Sequence, residues 1–225
     1  RNMLVTSLQK GHTMKKLLIS SLLLAAFSNA QAAEVLVVLS DANHLDLRDG
    51  KVFSTGFYLN ELMQPVKKLL DAGHTVTFAT PLGQAPTLDA GSDTADYFAG
   101  DVAAHAAHKA LLDRLALTLP GRSPVISLKR VEQIGYGHYA AVLVPGGHAP
   151  MQDLLKDASL GALLRQFHAD GKPTALLCHG PIALLSALPQ AAAFAAALEA
   201  GRTPLKPADW IYSGYRMTVI SNQEE

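Results

Sequence analysis

Charge of one sign is scarce in this sequence, and so is cysteine. The 19 lysines and arginines are matched by 19 aspartates and glutamates, and no block of like charge interrupts them. A nucleic-acid or membrane-surface partner held by electrostatics therefore has no support, and a small ligand is expected. The single cysteine, Cys178, excludes any internal disulfide. Repeats and low-complexity tracts are absent too. With 225 residues, 49% of them hydrophobic and 17% charged, the composition fits one globular domain rather than a disordered or fibrous chain.

Long apolar runs are also missing. The stretch from Leu17 to Phe27 falls short of the roughly 20 residues a membrane-spanning helix needs. Preceded by Met14, Lys15 and Lys16 and followed by Ala30, Gln31 and Ala32, it has the charged start, apolar middle and small-residue cleavage site of a secretory signal. Residues 1–33 are thus expected to be an upstream extension and a cleavable leader, cut near Ala32 or Ala33. Residues 34–225 are expected to form the folded domain, in the periplasm and free of membrane. An exported lone thiol is either buried and inert or kept for its reactivity, and its surroundings must decide.

Val35 to Leu39 is a continuous aliphatic run, as in a strand buried on both faces. A polar loop is expected from Asp41 to Thr55, then a helix with Pro65 in its first turn and Val66, Leu69 and Leu70 on one face, ending at Gly73. Thr75 to Ala79 alternates as a second strand. Pro81 to Gly135 is an elaboration over the sheet, with a helix from Val102 to Leu117. His105 and His108 on that helix lack a third ligand at telling spacing, so no metal site is expected. Ala140 to Val144 is another buried strand, ending in Pro145, Gly146, Gly147 and His148. A helix follows from Leu154 to Ala169, then a strand from Thr174 to Leu177, and then a helix from Ile182 to Leu188 that Gly180 and Pro181 open. The alanine-rich stretch from Gln190 to Gly201 is helical, and Met217 to Ser221 is one more strand. Strands alternating with helices predict an α/β domain, a doubly wound and mostly parallel sheet with helices on both faces.

Cys178 stands where a strand turns sharply into a helix. Such a turn pushes its residue into an exposed, strained position and aims free backbone N–H groups at it, so the thiol's pKa is expected to fall. Gly180 removes a Cβ from the tight turn, and Pro181 needs no donor in a first helical turn. A cysteine used only for packing fits less well, because the histidine beside it would be costly to bury unpaired. Gly146 and Gly147 end a strand where backbone could approach a ligand and donate to an oxyanion, although a plain tight turn explains them too. His148 is either a pocket residue or a surface histidine.

The run from Ala175 to Pro181 resembles the nucleophile elbow of the PfpI/DJ superfamily, whose fold is that of the class I glutamine amidotransferases, a flavodoxin-like α/β fold. Thr55, Gly56, Phe57, Glu61 and Pro65 resemble its early acidic motif, and Pro145 to His148 its glycine-rich strand end. Thr218 to Glu225 resemble the strand that carries a third acid. Adjacent cysteine and histidine resemble the stress-response branch of glyoxalase III and heat-shock chaperone-like proteins. The resemblance implies that Cys178 is the nucleophile, His179 the base, Glu225 or its neighbour Glu224 the acid orienting that base, and Glu61 a carboxyl group beside the sulfur. Gly146, Gly147, His148 and Gly180 would line the substrate site. Relatives continue past the acid, so a C-terminal part carrying a covering layer and a homodimer surface is expected to be missing.

The chemistry so implied needs neither metal nor other cofactor. A 2-oxoaldehyde would add to the thiolate, rearrange and leave as a 2-hydroxy acid. Two alternatives stand beside it: a periplasmic holding chaperone that does not use Cys178, and a cysteine-dependent amidase or peptidase on the same fold.

Overall fold

The computed structural model describes residues 32–202, 209–221 and 223. The expected leader core and Glu225 lie outside them. Among the described residues, no helix is long and apolar enough to cross a membrane.

Five parallel strands form the central sheet. They are β1 (Glu34–Val38), β4 (Thr75–Thr80), β5 (Ile126–Ser127), β6 (Ala141–Val144) and β7 (Thr174–Leu176). Their order is β5-β4-β1-β6-β7, and register runs through pairs such as Val37↔Phe78, Val37↔Leu143 and Leu143↔Ala175. Because β1 is central, Val35 to Leu39 are all buried, and successive side chains serve opposite layers. Leu36 and Val38 join Val142, Val144, Leu160, Leu164 and Phe167 on one face, while Val37 and Leu39 join Phe78, Leu62, Met63, Val66 and Leu112 on the other. Helices therefore cover both faces, as the alternation of elements predicts. Each such leucine contributes about 1.5–3 kcal/mol by leaving water.

Helix α1 (Leu59–Asp71) begins earlier than expected, and this places the site. Leu59, Leu62, Met63 and Val66 recur at helical spacing and are wholly buried, so the apolar stripe starts six residues before Pro65. Pro65 thus sits inside the helix and has no N–H to return to the carbonyl of Glu61. Ser92 caps the start, its Oγ accepting from Leu59 N at 2.9 Å while donating to the Asp89 carbonyl at 2.8 Å.

Other elements depart from expectation. The loop from Asp41 to Thr55 contains a hairpin, β2 (His44–Asp46) and β3 (Val52–Ser54). Its turn holds Asp49 and Gly50 at φ 62° and 71°, the positive values that Asp-Gly supplies in tight hairpins. Within Pro81 to Gly135, α2 (Val102–Leu115) is joined by β5 and α3 (Leu128–Ile134). The segment expected as a helix from Leu154 splits at Asp157, whose side chain caps α4 (Ala158–Ala169) by accepting from Leu160 N at 2.7 Å. A 3-10 helix, Gly180–Ala187, follows the elbow, and α5 (Ala191–Glu199) comes after it. Residues 217–221 form no strand. They face Leu176 and Cys178 across a cleft without entering the ladder beside β7, and ladder pairing is what makes a β-prone segment a strand.

Candidate active site

β6 and β7 are neighbours and parallel, so their carboxyl ends deliver Pro145 to His148 and Cys178 to His179 to one edge of the sheet. Leu177 N donates to the Val144 carbonyl at 3.1 Å, the last rung before the chain turns. Cys178 then adopts φ 52°, in the left-handed region where a residue with a Cβ is strained by about 1–2 kcal/mol. Gly180 N closes the turn on the Leu177 carbonyl at 2.6 Å.

Glu61 arrives from the first turn of α1. Its Oε2 accepts from Gly146 N at 2.8 Å, and a hydrogen bond joins its carboxyl to Cys178. The approach requires glycine at 146, since a Cβ there would lie 2.5 Å from that oxygen and 2.6 Å from the Cys178 Cβ. Gly147, at φ 79°, likewise has no room for a Cβ against the Gly56 carbonyl. The loop opposite is pinned by Thr55 Oγ1 donating to Asp89 at 2.7 Å and by paired backbone bonds between Phe57 and residues 87 and 89.

His179 is buried, with Nδ1 3.4 Å from the sulfur. Sulfur, imidazole and carboxyl are thus brought together. The backbone amides of Gly147 and His179 also point at the sulfur. These amides do not win the electrostatic contest. Burial first, and then the Glu61 carboxylate, push the thiol up to about 11. The expected fall in pKa is therefore reversed, because a nearby negative charge and lost solvation outweigh two amide donors. Burial raises Glu61 as well, against the bonds from Cys178 and Gly146. Two acids in one buried contact are coupled, so ionising either one opposes ionising the other.

The remaining predicted residues divide. Gly146 N is taken by Glu61 and Gly147 N is aimed at the sulfur, so neither amide is a vacant oxyanion donor in the resting site. Gly180 is buried, its N–H spent in the turn and with no room for a Cβ against the Val144 carbonyl, which makes it a packing residue. His148 lies inside the cluster, its ring 4.6 Å from that of His179. His105 and His108 bond Asp93 and the Ala104 carbonyl and pack on Phe98. No group able to hold a metal ion occurs among the described residues.

Sequence reasoning missed Tyr58 and Phe53. Tyr58 precedes α1 and meets His148 and Tyr97 edge-on, and burial, then Tyr97 and Asp89, raise its hydroxyl pKa strongly. Phe53 reaches His148 from the hairpin. The Asp49-Gly50 turn signal could have found the hairpin, but nothing local says where it lies. Beside the sulfur opens a cleft of about 600 Å³ walled by Leu176, Leu177, Pro181, Val219 and Ile220.

A family model described as ThiJ/PfpI family-like matches residues 53–207. The protein/nucleic acid deglycase HchA of Pseudomonas aeruginosa is 29% identical over 193 residues, covering 83% of this chain and 57% of that protein. The HchA deglycase of Staphylococcus aureus is 27% identical over 154 residues, 68% of this chain and 50% of that one. The chain spans about half the length of the curated relatives it matches. Among solved structures, glyoxalase III of Candida albicans aligns with a TM-score of 0.52 at 19% identity, over 68% of this chain and 59% of that chain. A rapid encystment protein of Francisella tularensis aligns at 0.50 with 21% identity, over 68% and 61%. At such identities the likeness shows the fold alone.

Proposed function

This chain belongs to the ThiJ/PfpI-like family, and on that premise we propose that it is a glutathione-independent glyoxalase, converting 2-oxoaldehydes to 2-hydroxy acids at Cys178. One observation carries the reading: a strained, partly exposed sulfur with an imidazole nitrogen at 3.4 Å and a carboxyl hydrogen-bonded to it. The names of its relatives, a deglycase and a glyoxalase III, fit chemistry on carbonyl compounds.

The mechanism begins with the Cys178 thiol passing its proton to the Glu61 carboxylate. With the proton on Glu61, the sulfur is a thiolate. It adds to the aldehyde carbon while the carboxyl protonates the aldehyde oxygen, leaving a hemithioacetal and a carboxylate. His179 takes the hydrogen from that carbon as a proton and returns it to the neighbouring carbon through an enediol, which leaves a thioester. Water then attacks with Glu61 accepting its proton, the thiolate leaves, and the starting state returns. The sum is aldehyde plus water to 2-hydroxy acid, with no external oxidant or reductant.

Lactate formed from methylglyoxal without glutathione tests the reading. Wild-type turnover with loss in Cys178→Ala supports it, and a Cys178→Ala protein as active as wild type sinks it. A holding chaperone is the second reading, favoured by Leu47, Val52 and Phe53, which are 46%, 65% and 45% exposed on the hairpin. Suppression of client aggregation by Cys178→Ala would favour it. Export belongs to the same proposal, and a mature mass beginning near Ala33 supports it while retained Met14 overturns it.

A further inference from the structure

We infer that His148 is a positioning residue: wedged between Phe53, Tyr58 and His179, its ring holds the His179 imidazole with Nδ1 toward the Cys178 sulfur. The inference rests on the reading of Cys178 and His179 as the reacting pair, and assigns His148 a task other than substrate contact.

The need for such a residue follows from side-chain geometry. The ring torsion of histidine is broad and roughly two-fold, so a backbone position does not by itself choose which nitrogen faces a neighbour. At an elbow the problem is sharper, because consecutive side chains ordinarily diverge. A surface packed against the His179 ring narrows that choice, and His148 supplies one at a centroid distance of 4.6 Å and an interplanar angle of 39°.

His148 is itself well held. Gly147 before it takes φ 79°, and His148 then turns to φ −84° and ψ −20°, aiming its ring back at the elbow. Phe53 meets that ring at 5.4 Å and 77°, and Tyr58 at 5.8 Å and 66°, both edge-on. Tyr58 is braced in turn by Tyr97 at 5.3 Å and 74°. Edge-on aromatic pairs gain beyond simple burial, so four rings from four separate segments form one wedge. His148 joins the hairpin and the start of α1 to the imidazole.

The test uses the whole chain with His148→Ala and His148→Phe, in two assays. Turnover of methylglyoxal reads the reaction, and the pH profile of Cys178 alkylation by iodoacetamide reads the sulfur and its imidazole without substrate. Expected for His148→Ala is a kcat about 10-fold lower with KM within about twofold, since a loosened base forfeits part of its ~100-fold or greater contribution. Its alkylation profile should also depart from wild type. His148→Phe, which keeps the ring, should restore kcat to within about threefold and return the profile. A raised KM at unchanged kcat in His148→Ala overturns the inference in favour of substrate contact. His148→Phe as impaired as His148→Ala overturns it too, because a ring nitrogen is then what matters. If His148→Ala does not fold, His148→Phe alone decides by the same two readouts. Should wild type form no hydroxy acid, the glyoxalase reading fails, while the alkylation profiles still decide the positioning role.

Discussion

Replacing Glu61 by glutamine should make the thiol more reactive and the enzyme less so. The thiol moves from an ordinary 9.0 to about 11, with burial the largest cause and the Glu61 carboxylate next. Full charges ~4 Å apart interact by at most ~4 kcal/mol at an effective dielectric of 20, and a tenfold change in ionisation needs only ~1.4 kcal/mol. Burial and the two opposing amides remain in the variant, so a tenfold gain in thiolate at a given pH is the expected size. A less basic thiolate is also a weaker nucleophile, by ~3-fold for that change, which leaves alkylation at pH ~8 about threefold faster. Turnover of a 2-oxoaldehyde should meanwhile fall by ~100-fold, because glutamine cannot pass a proton to the aldehyde oxygen. The assay is iodoacetamide alkylation across pH beside lactate formation on the same samples. An alkylation midpoint that stays put or rises in the glutamine variant refutes the reasoning.

Other outcomes follow from the same contacts. Gly146→Ala forces a Cβ onto Glu61 Oε2 and the Cys178 Cβ, so it should lose ~1–3 kcal/mol in urea unfolding and ~100-fold in kcat/KM. At alkaline pH the native state holds the Cys178 proton more tightly than the unfolded chain. Stability present below pH 9 should therefore be lost progressively toward pH 11, and Cys178→Ser should lack that part of the loss in urea titrations. Asp93 has the opposite sign: Lys109 above all, at 2.7 Å, and then His105 lower its pKa. The stability it adds is present above the ordinary aspartate range and disappears as pH falls through the lowered value. Asp93→Asn should cost about 0.5–1 kcal/mol at neutral pH, a Tm lower by a few degrees, with the difference vanishing in acid.

What the sequence by itself determined was the set of buried elements and the strained turn at the elbow. Val35 to Leu39 and Ala141 to Val144 are continuous aliphatic runs, and only a strand covered on both faces accommodates them, so the parallel sheet was legible. Cys178, His179, Gly180 and Pro181 were legible because a strained turn demands particular residue types in a particular order. Local pattern failed where a contact decided the outcome. Pro65 looked like a helix start, but the apolar stripe of Leu59, Leu62 and Met63 packed on the sheet and outvoted it. Residues 217–221 look like a strand and make no ladder bond, since β-propensity names no partner.

Tertiary structure alone decided the sulfur's electrostatics and its aromatic surroundings. A helix terminus can be read from neighbouring residues, and it argues for a lowered thiol pKa. The opposing carboxyl comes from Glu61, far away in sequence, and reaches the sulfur only because α1 starts early and Gly146 has no side chain. Desolvation has no sequence signature at all. The same holds for Phe53, Tyr58 and His148, which lie on three segments and become one wedge only after the sheet brings its carboxyl edge together. Covalent neighbours determine backbone strain, whereas charge and burial depend on what the fold places within a few ångströms.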